Sequence, residues 1–170
     1  MARDIFADLD FDWQSVSPKL AMGYRITGLP RFLPPVIIVV AANVILNMVD
    51  LPELASLVKL LAIPSFIVAL IFHWIFAGLR SASWGYAEAD QELVIKSGLL
   101  VRKLVVIPYG RMQFVDVTAG PIATSLGYAS VTLKTASTET AATIPGVPVA
   151  EAHRLRDRLT DLGDSHASGI

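Results

Sequence analysis

FLPPVIIVVAANVILNMV, residues 32–49, and LLAIPSFIVALIFHWIFAGL, residues 60–79, decide the fold of this 170-residue chain, because neither stretch holds a Lys, Arg, Asp or Glu. As helices rising 1.5 Å per residue they extend about 27 and about 30 Å, the hydrocarbon thickness of a bilayer. They predict a two-span membrane protein. Two buried core helices of a soluble protein would not account for a mean hydropathy of +0.56 with 54% hydrophobic residues, an excess concentrated in these runs. A secretory signal fails as well, since the first run starts late, is long, and is followed at once by a second. Without cysteine, disulfides, thiolate metal sites and cysteine nucleophiles are excluded.

Pro34 and Pro35 stand near the start of the first run, where missing amide hydrogens cost little, and they mark where the span begins. Asp50 and Glu53 flank Leu51 and Pro52 in a pattern like a capping box, so the second helix is expected to start near Pro52. The connection is then short, the spans form an antiparallel hairpin, and both chain ends lie on one side of the membrane. Lys19, Arg25, Arg31 and Arg80 flank the hairpin on that side against Lys59 near its tip, a balance that places both termini in the cytoplasm and the protein in the plasma membrane. Tyr24, Trp74 and Phe76 fit interfacial anchoring positions.

Three polar groups within the spans bear on function. Asn43 and Asn47, four residues apart, share a helical face from which amides can bond to a neighbouring helix. His73 is ionisable and so a functional candidate by position. With no carboxylate in either span it makes a poor proton relay, and a hydrogen bond to an Asn or a lipid headgroup explains it as well. All three are therefore read as helix-packing residues. Before the spans, Asp4, Asp8, Asp10 and Asp12 alternate with apolar residues, of which Phe6, Leu9 and Trp13 fall at helical spacing. This stretch reads either as a partner-docking helix or as an acidic tail.

From Ser83 the pattern changes to strands and turns. Trp84–Glu88, Glu92–Lys96, Leu99–Ile107, Met112–Ala119, Tyr128–Thr135 and Thr140–Ile144 read as strands, with a turn at Ser97-Gly98. Alternation puts Met112, Phe114, Asp116 and Thr118 on one face of their strand, and Gln113, Val115, Val117 and Ala119 on the other. Pro145, Gly146 and Pro148 separate the sheet from a last helix, whose stripe of Ala152, Leu155, Leu159 and Leu162 ends at Gly163. Arg154 and Arg158, near Asp157 and Asp161, read as a solvated mixed-charge face. From Arg80 to Ile170 there are nine Lys plus Arg and nine Asp plus Glu, a balance that gives no reason to seek nucleic acid.

The segments Ile107-Pro108-Tyr109-Gly110-Arg111-Met112-Gln113-Phe114-Val115, Gly120-Pro121-Ile122, Leu126-Gly127-Tyr128-Ala129 and Thr135-Ala136, with the hairpin Asp90–Leu99 and the early Trp13–Pro18, resemble the bacterial pleckstrin-homology-like domains of the second class. These occur behind two transmembrane helices. The resemblance implies a membrane helical hairpin followed by a mainly-β domain, a curved antiparallel sheet or partly open barrel capped by a C-terminal helix. It also implies a scaffold for peptides, proteins or lipid headgroups, without catalytic residues or cofactor. Thr124 stands where relatives often carry a basic residue, which removes one anion contact.

The chain thus divides into an N-terminal cytoplasmic segment (1–30), the transmembrane hairpin (31–80), the PH-like domain (81–163) and a disordered tail (164–170). The expected function is a non-enzymatic, membrane-anchored interaction or scaffold module that binds a protein partner or assembles with itself, as a homo-oligomer or with other membrane proteins. The alternative is an accessory subunit of a channel or transporter, with a polar path lined by Asn43, Asn47 and His73. Candidate partner- or lipid-binding residues are Arg102, Lys103, Arg111 and Gln113. Arg111 presents a bidentate guanidinium after a turn, or else pairs with Asp116. Arg102 and Lys103 are expected on opposite strand faces. Phosphoinositide binding is disfavoured by the carboxylates of Glu88, Asp90 and Glu92. A hydrolytic pair of Ser65 and His73 would be about 12 Å apart along one helix, beyond bonding reach, and no metal-ligand pattern is present.

Overall fold

The computed structural model describes residues 11–135 and 141–167, which fall into two units. One is Tyr24–Gly78; the other joins the chain preceding it to the chain from Leu79 onward. Residues Asp4 to Leu9 of the acidic stretch, with Asp10, lie outside the described residues.

The first unit is helical. Helix α1 (Lys19–Gly28) leads through a 3-10 turn (Leu29–Phe32) into α2 (Leu33–Met48), and α3 spans Pro52–Ala82. The helical stretch therefore begins at Lys19, well before the prolines expected to open it. Pro30, Pro34 and Pro35 lack the amide hydrogens of a regular ladder, and the chain tightens to 3-10 among them before α2 starts with Pro34 in its first turn. The stretches Lys19–Met48 and Pro52–Ala82 are both long and apolar enough to cross a membrane, and their most apolar windows are 0% and 6% buried. Core helices of a soluble protein would be covered by protein; here Ile38 is 66% and Leu61 72% exposed.

The link between α2 and α3 closes by a backbone device. Asp50 adopts the left-handed conformation at φ 55°, and Leu51 N–H donates to Leu46 O at 3.0 Å. This six-to-one bond around a left-handed residue is a Schellman closure of α2. Since α3 begins at Pro52, its cap position falls on Leu51, and the expected capping role of Asp50 is replaced by termination of the preceding helix. Within the hairpin Asn43 Nδ2 donates to Ala55 O at 3.0 Å, tying α2 to α3. Phe32 meets Phe66 edge-on with centroids 5.9 Å apart.

The second unit holds two antiparallel sheets and two helices. Strands β1 (Gln14–Ser15), β2 (Gly85–Glu88), β3 (Glu92–Ser97) and β4 (Lys103–Pro108) form one sheet in that order. After a 3-10 turn (Tyr109–Arg111), β5 (Met112–Thr118), β6 (Tyr128–Thr135) and β7 (Ala141–Pro148) form the other, with helix α4 (Pro121–Leu126) between β5 and β6. The sheets are not closed into one barrel. Helix α5 (Val149–Ala167) packs on the 3-10 turn and on β5. Its Ala152, Leu155 and Leu159 are fully buried with Leu93, Ile107, Tyr109, Leu133 and Ile144, so the stripe read from the sequence faces the core. The helix passes through Gly163 and continues to Ala167.

Three local features depart from simple alternation. The β3–β4 connection is longer than a Ser97-Gly98 turn: Ser97 pairs with Lys103, leaving residues 98–102 as the hairpin loop. In β5 the register slips between Met112 and Phe114. Gln113 is the extra, bulged residue, so Gln113, Phe114 and Asp116 all face outward while Val115 and Val117 face in. In β7, Val131 pairs with Ile144 but Ala129 with Val147, so Pro145 and Gly146 together oppose Ser130. That bulge accommodates a proline without an amide hydrogen and a glycine at φ 74°, and it carries the strand to Pro148 where the sequence pattern ended it at Ile144. Gly146 O accepts from Ser17 N–H at 2.7 Å, and Leu20, 2% exposed, fills the space against it. The segment from Gln14 to Leu20 is thereby built into the sheet unit, partly as strand, whereas Phe6 and Leu9, on which the helical spacing rests, lie outside the described residues.

Candidate functional site

In the helical unit, the polar group singled out in the second span is held from two sides. Arg31 Nη2 bonds His73 Nδ1, and His73 Nε2 stands 3.0 Å from Arg25 O. Arginine only donates, so Nδ1 is the acceptor and Nε2 carries the hydrogen given to the carbonyl. Phe32 lies against the same imidazole with centroids 5.4 Å apart, and the Arg25 guanidinium stacks 4.2 Å from the Trp74 ring centroid. His73 is 8% exposed. The expected partners, an Asn or a lipid headgroup, are replaced by two groups from the α1 region, so His73 ties the first helical stretch to α3 near the hairpin's open end. Asn43 makes its tie near the closed end, whereas Asn47 Nδ2 turns back to Asn43 O at 2.6 Å and stays within α2. Ser65 Oγ donates to Ala62 O at 2.9 Å, another intrahelical bond.

In the sheet unit the four candidate residues separate into two pairs. Arg102 and Lys103 stand where the β3–β4 loop enters β4; Arg111 and Gln113 stand beyond its other end, about 20 Å away for a six-residue strand. Arg102 precedes the strand, so the alternation that would have put it opposite Lys103 does not apply. Arg111 is exposed at the end of the 3-10 turn and makes no ion pair with Asp116 among the described residues. Thr124, the position where relatives often carry a base, donates its hydroxyl back to Gly120 O at 3.0 Å, four residues earlier.

The strongest charge cluster escaped the sequence reading. Glu88, its side chain 8% exposed, is gripped by Arg154 Nη2 at 2.6 Å on one oxygen and has Arg158 Nε 3.1 Å from the other, an ionic contact without hydrogen-bond geometry. Arg154 also bonds Glu151, which accepts from Tyr86 Oη at 3.3 Å. Burial, and then Glu151, hold the Tyr86 phenol well above its ordinary range. The Arg154 hydrogen bond holds Glu151 below the usual carboxylate range, and hydrogen bonds from Glu151 and Glu88 raise Arg154 further. Burial, and then Glu88, push Tyr109 up to about 12, and its hydroxyl donates to Ala89 O at 2.9 Å. Arg154 and Arg158, 41% and 59% exposed, keep the solvated mixed-charge character expected of them and also clamp α5 to the β2–β3 turn. Glu88 is neutralised inside that clamp, leaving Asp90 and Glu92 as the turn's outward carboxylates. The i, i+4 spacing of Arg154 and Arg158 opposite an acidic turn was the available signal; without the pairing of α5 and β2 it had no target.

Phe114 and Val106 are exposed on β5 and β4 at 49% and 43%. Among the described residues β4 and β5 are each the last strand of their sheet, so each presents one edge whose backbone groups no ladder uses. Their outward side chains, with Arg111 on the turn joining them and Gln113 at the β5 bulge, form the best candidate recognition surface.

A family model described as Bacterial PH domain matches residues 31–162 of the chain. The UPF0699 transmembrane protein YdbS of Bacillus subtilis (strain 168) is 33% identical over 94 residues, which cover 55% of this chain and 58% of the relative. The chain thus spans under two thirds of that relative's length. No solved structure is significantly similar to it.

Proposed function

Because the chain belongs to the bacterial PH domain family, we propose that it is a non-enzymatic, membrane-anchored interaction module of the plasma membrane, with both termini cytoplasmic. It binds a protein partner or a second copy of itself through the open seam of its PH-like domain. The observation that carries this reading is the seam itself: two sheet-edge strands joined by one short turn, with Val106, Phe114, Arg111 and Gln113 exposed along it. Edge strands of this kind recognise extended peptides by adding a strand, the ladder supplying affinity and the flanking side chains specificity.

Supporting the same reading, Asn43 and His73 are engaged in holding the hairpin together, and Asn47 is bonded within α2. A polar path for an accessory channel subunit would need Asn43, Asn47 and His73 turned to a common lumen, and their bonds to Ala55, Asn43 and Arg31 favour packing. Phosphoinositide recognition at the β2–β3 turn is disfavoured by Asp90 and Glu92. The cytoplasmic placement follows the Lys and Arg balance across the hairpin.

The test is photo-crosslinking in native membranes from Val106 and Phe114, with Thr160 on the outer face of α5 as reference. Discrete adducts from the two seam positions but not from Thr160 are expected. Absence of adducts from both seam positions would overturn the reading.

A further inference from the structure

Among the described residues of the sheet unit, the two most exposed large apolar side chains stand side by side in the β3–β4 loop, Leu100 at 85% and Val101 at 84%. None of the described residues of the unit covers them, and two cations follow them directly, Arg102 and Lys103 entering β4. The loop is a defined structure. Gly98 takes φ 104°, and a Cβ there would overlap Val101 O, so the turn folds tightly onto itself beneath the two apolar residues and holds them out. The base of this loop, at Gly98 and Arg102, shares a groove with Leu79, Ala82 and Ser83 at the end of α3. Leu79 is the last residue of the second apolar run and Arg80 its first charge. The base of the loop therefore lies beside residues 79–83, where the second apolar run ends.

We propose that Leu100 and Val101 insert into the interfacial layer of the bilayer that anchors the chain, with Arg102 and Lys103 contacting anionic headgroups, so that the β3–β4 loop is a second membrane contact. An apolar tip followed at once by two cations is the composition that both layers of an anionic interface select. A long hydrophobic pair left in water beside a membrane would otherwise be an exposed liability. The proposal rests on the hairpin spanning the bilayer, and its test reads that premise separately.

The chain has no cysteine, so full-length Leu100→Cys, Gln113→Cys and Ile38→Cys each carry a single environment-sensitive label. In vesicles of phosphatidylcholine and phosphatidylglycerol, Leu100→Cys is expected to emit to the blue of Gln113→Cys, to be quenched by lipids brominated on the acyl chain, and to be shielded from aqueous iodide. Arg102→Gln or Lys103→Gln lowers its ratio of inserted to free tip about fivefold, the equivalent of about 1 kcal/mol for one basic side chain at an anionic surface. Omitting phosphatidylglycerol lowers it in the same direction. Iodide quenching of Leu100→Cys equal to that of Gln113→Cys in both vesicles overturns the proposal and returns the tip to water, as a surface for a protein. Ile38→Cys must be quenched by brominated lipid in either case; failure there refutes the spanning hairpin itself.

Discussion

Substituting Gly146 by alanine probes the joint that builds the pre-span segment into the sheet unit. Gly146 sits at φ 74°, where an L side chain costs roughly 1–2 kcal/mol. Its new Cβ would also lie 2.7 Å from Leu20 Cβ and 2.8 Å from Leu20 Cδ2. Leu20 is 2% exposed and has no room to retreat, an overpacking cost of about 1–3 kcal/mol. The expected loss is about 2–5 kcal/mol. Gly127→Ala supplies the control: φ is 77° there, and the nearest atom is Lys19 Nζ at 3.8 Å, so it bears the backbone strain alone. Any restriction of the unfolded chain is common to both variants. The difference of about 1–3 kcal/mol corresponds to roughly 4–8 °C per kcal/mol in thermal midpoint for a unit of this size. The midpoint is read in detergent from tryptophan fluorescence, Trp13 and Trp84 reporting the sheet unit. Leu20→Ala removes two of the three crowding atoms, so combining it with Gly146→Ala should cost less than the sum of the singles. Equal losses for Gly146→Ala and Gly127→Ala, together with strict additivity in the double variant, would refute the account.

The Glu88 clamp predicts that Arg154→Ala destabilises the sheet unit by about 1–3 kcal/mol, since a largely buried carboxylate loses a hydrogen-bonded cation while Arg158 remains; chemical denaturation in detergent measures it, and Arg154→Ala with Glu88→Gln should recover part of the loss. Tyr109, pushed up to about 12 from 10.0, contributes stability that is complete below pH 10 and lost as the pH rises toward 12. The midpoint should fall across that window and fall less in Tyr109→Phe. Glu151 runs the opposite way: its lowered pKa contributes stability above the ordinary carboxylate range that is lost as the pH falls through the folded value, and Glu151→Gln should flatten that acid limb. In the hairpin, Asp50→Val should cost about 1–2 kcal/mol, because a β-branched residue resists φ 55°, whereas Asp50→Gly is neutral or mildly stabilising; unfolding in mixed micelles separates the two.

Features carried by local composition were legible. Charge-free runs of helical length gave the spans, Pro52 the start of α3, and the spacing of Ala152, Leu155 and Leu159 the buried face of α5. Where a feature depends on a distant partner, composition was silent. Gln14 and Ser15 carry no strand signal of their own and become β1 only by pairing with Tyr86 and Gly85. Gln113 turns outward because β6 offers one residue too few across from it. Arg154 and Glu88 are 66 positions apart, and each read separately as solvated. His73 illustrates both halves: its oddity inside an apolar span was visible, but Arg31, its partner, looked like a flanking topological charge.

The β1–β2 pairing has a consequence for membrane topology that charge counting alone lacks. Gln14 lies before both spans and pairs with Tyr86 after them, while Ser17 N–H reaches Gly146 O in the second sheet. Strands joined by backbone hydrogen bonds must share one aqueous compartment, because the hydrocarbon layer admits no exposed ladder between them. The chain segment from 16 to 84 therefore crosses the bilayer an even number of times. Its two charge-free runs satisfy that condition without appeal to the Lys and Arg balance, which is left to choose only the side. It follows that the sheet unit is discontinuous in sequence, and that a two-residue strand with Leu20 behind it closes a connection of nearly seventy residues. For so long a loop, closure entropy grows only slowly with length, so the cost is met if the hairpin first brings its ends together. A chain whose second span fails to insert is therefore expected to leave β1 and Leu20 across the bilayer from β2 and the Gly146 bulge, without their partners.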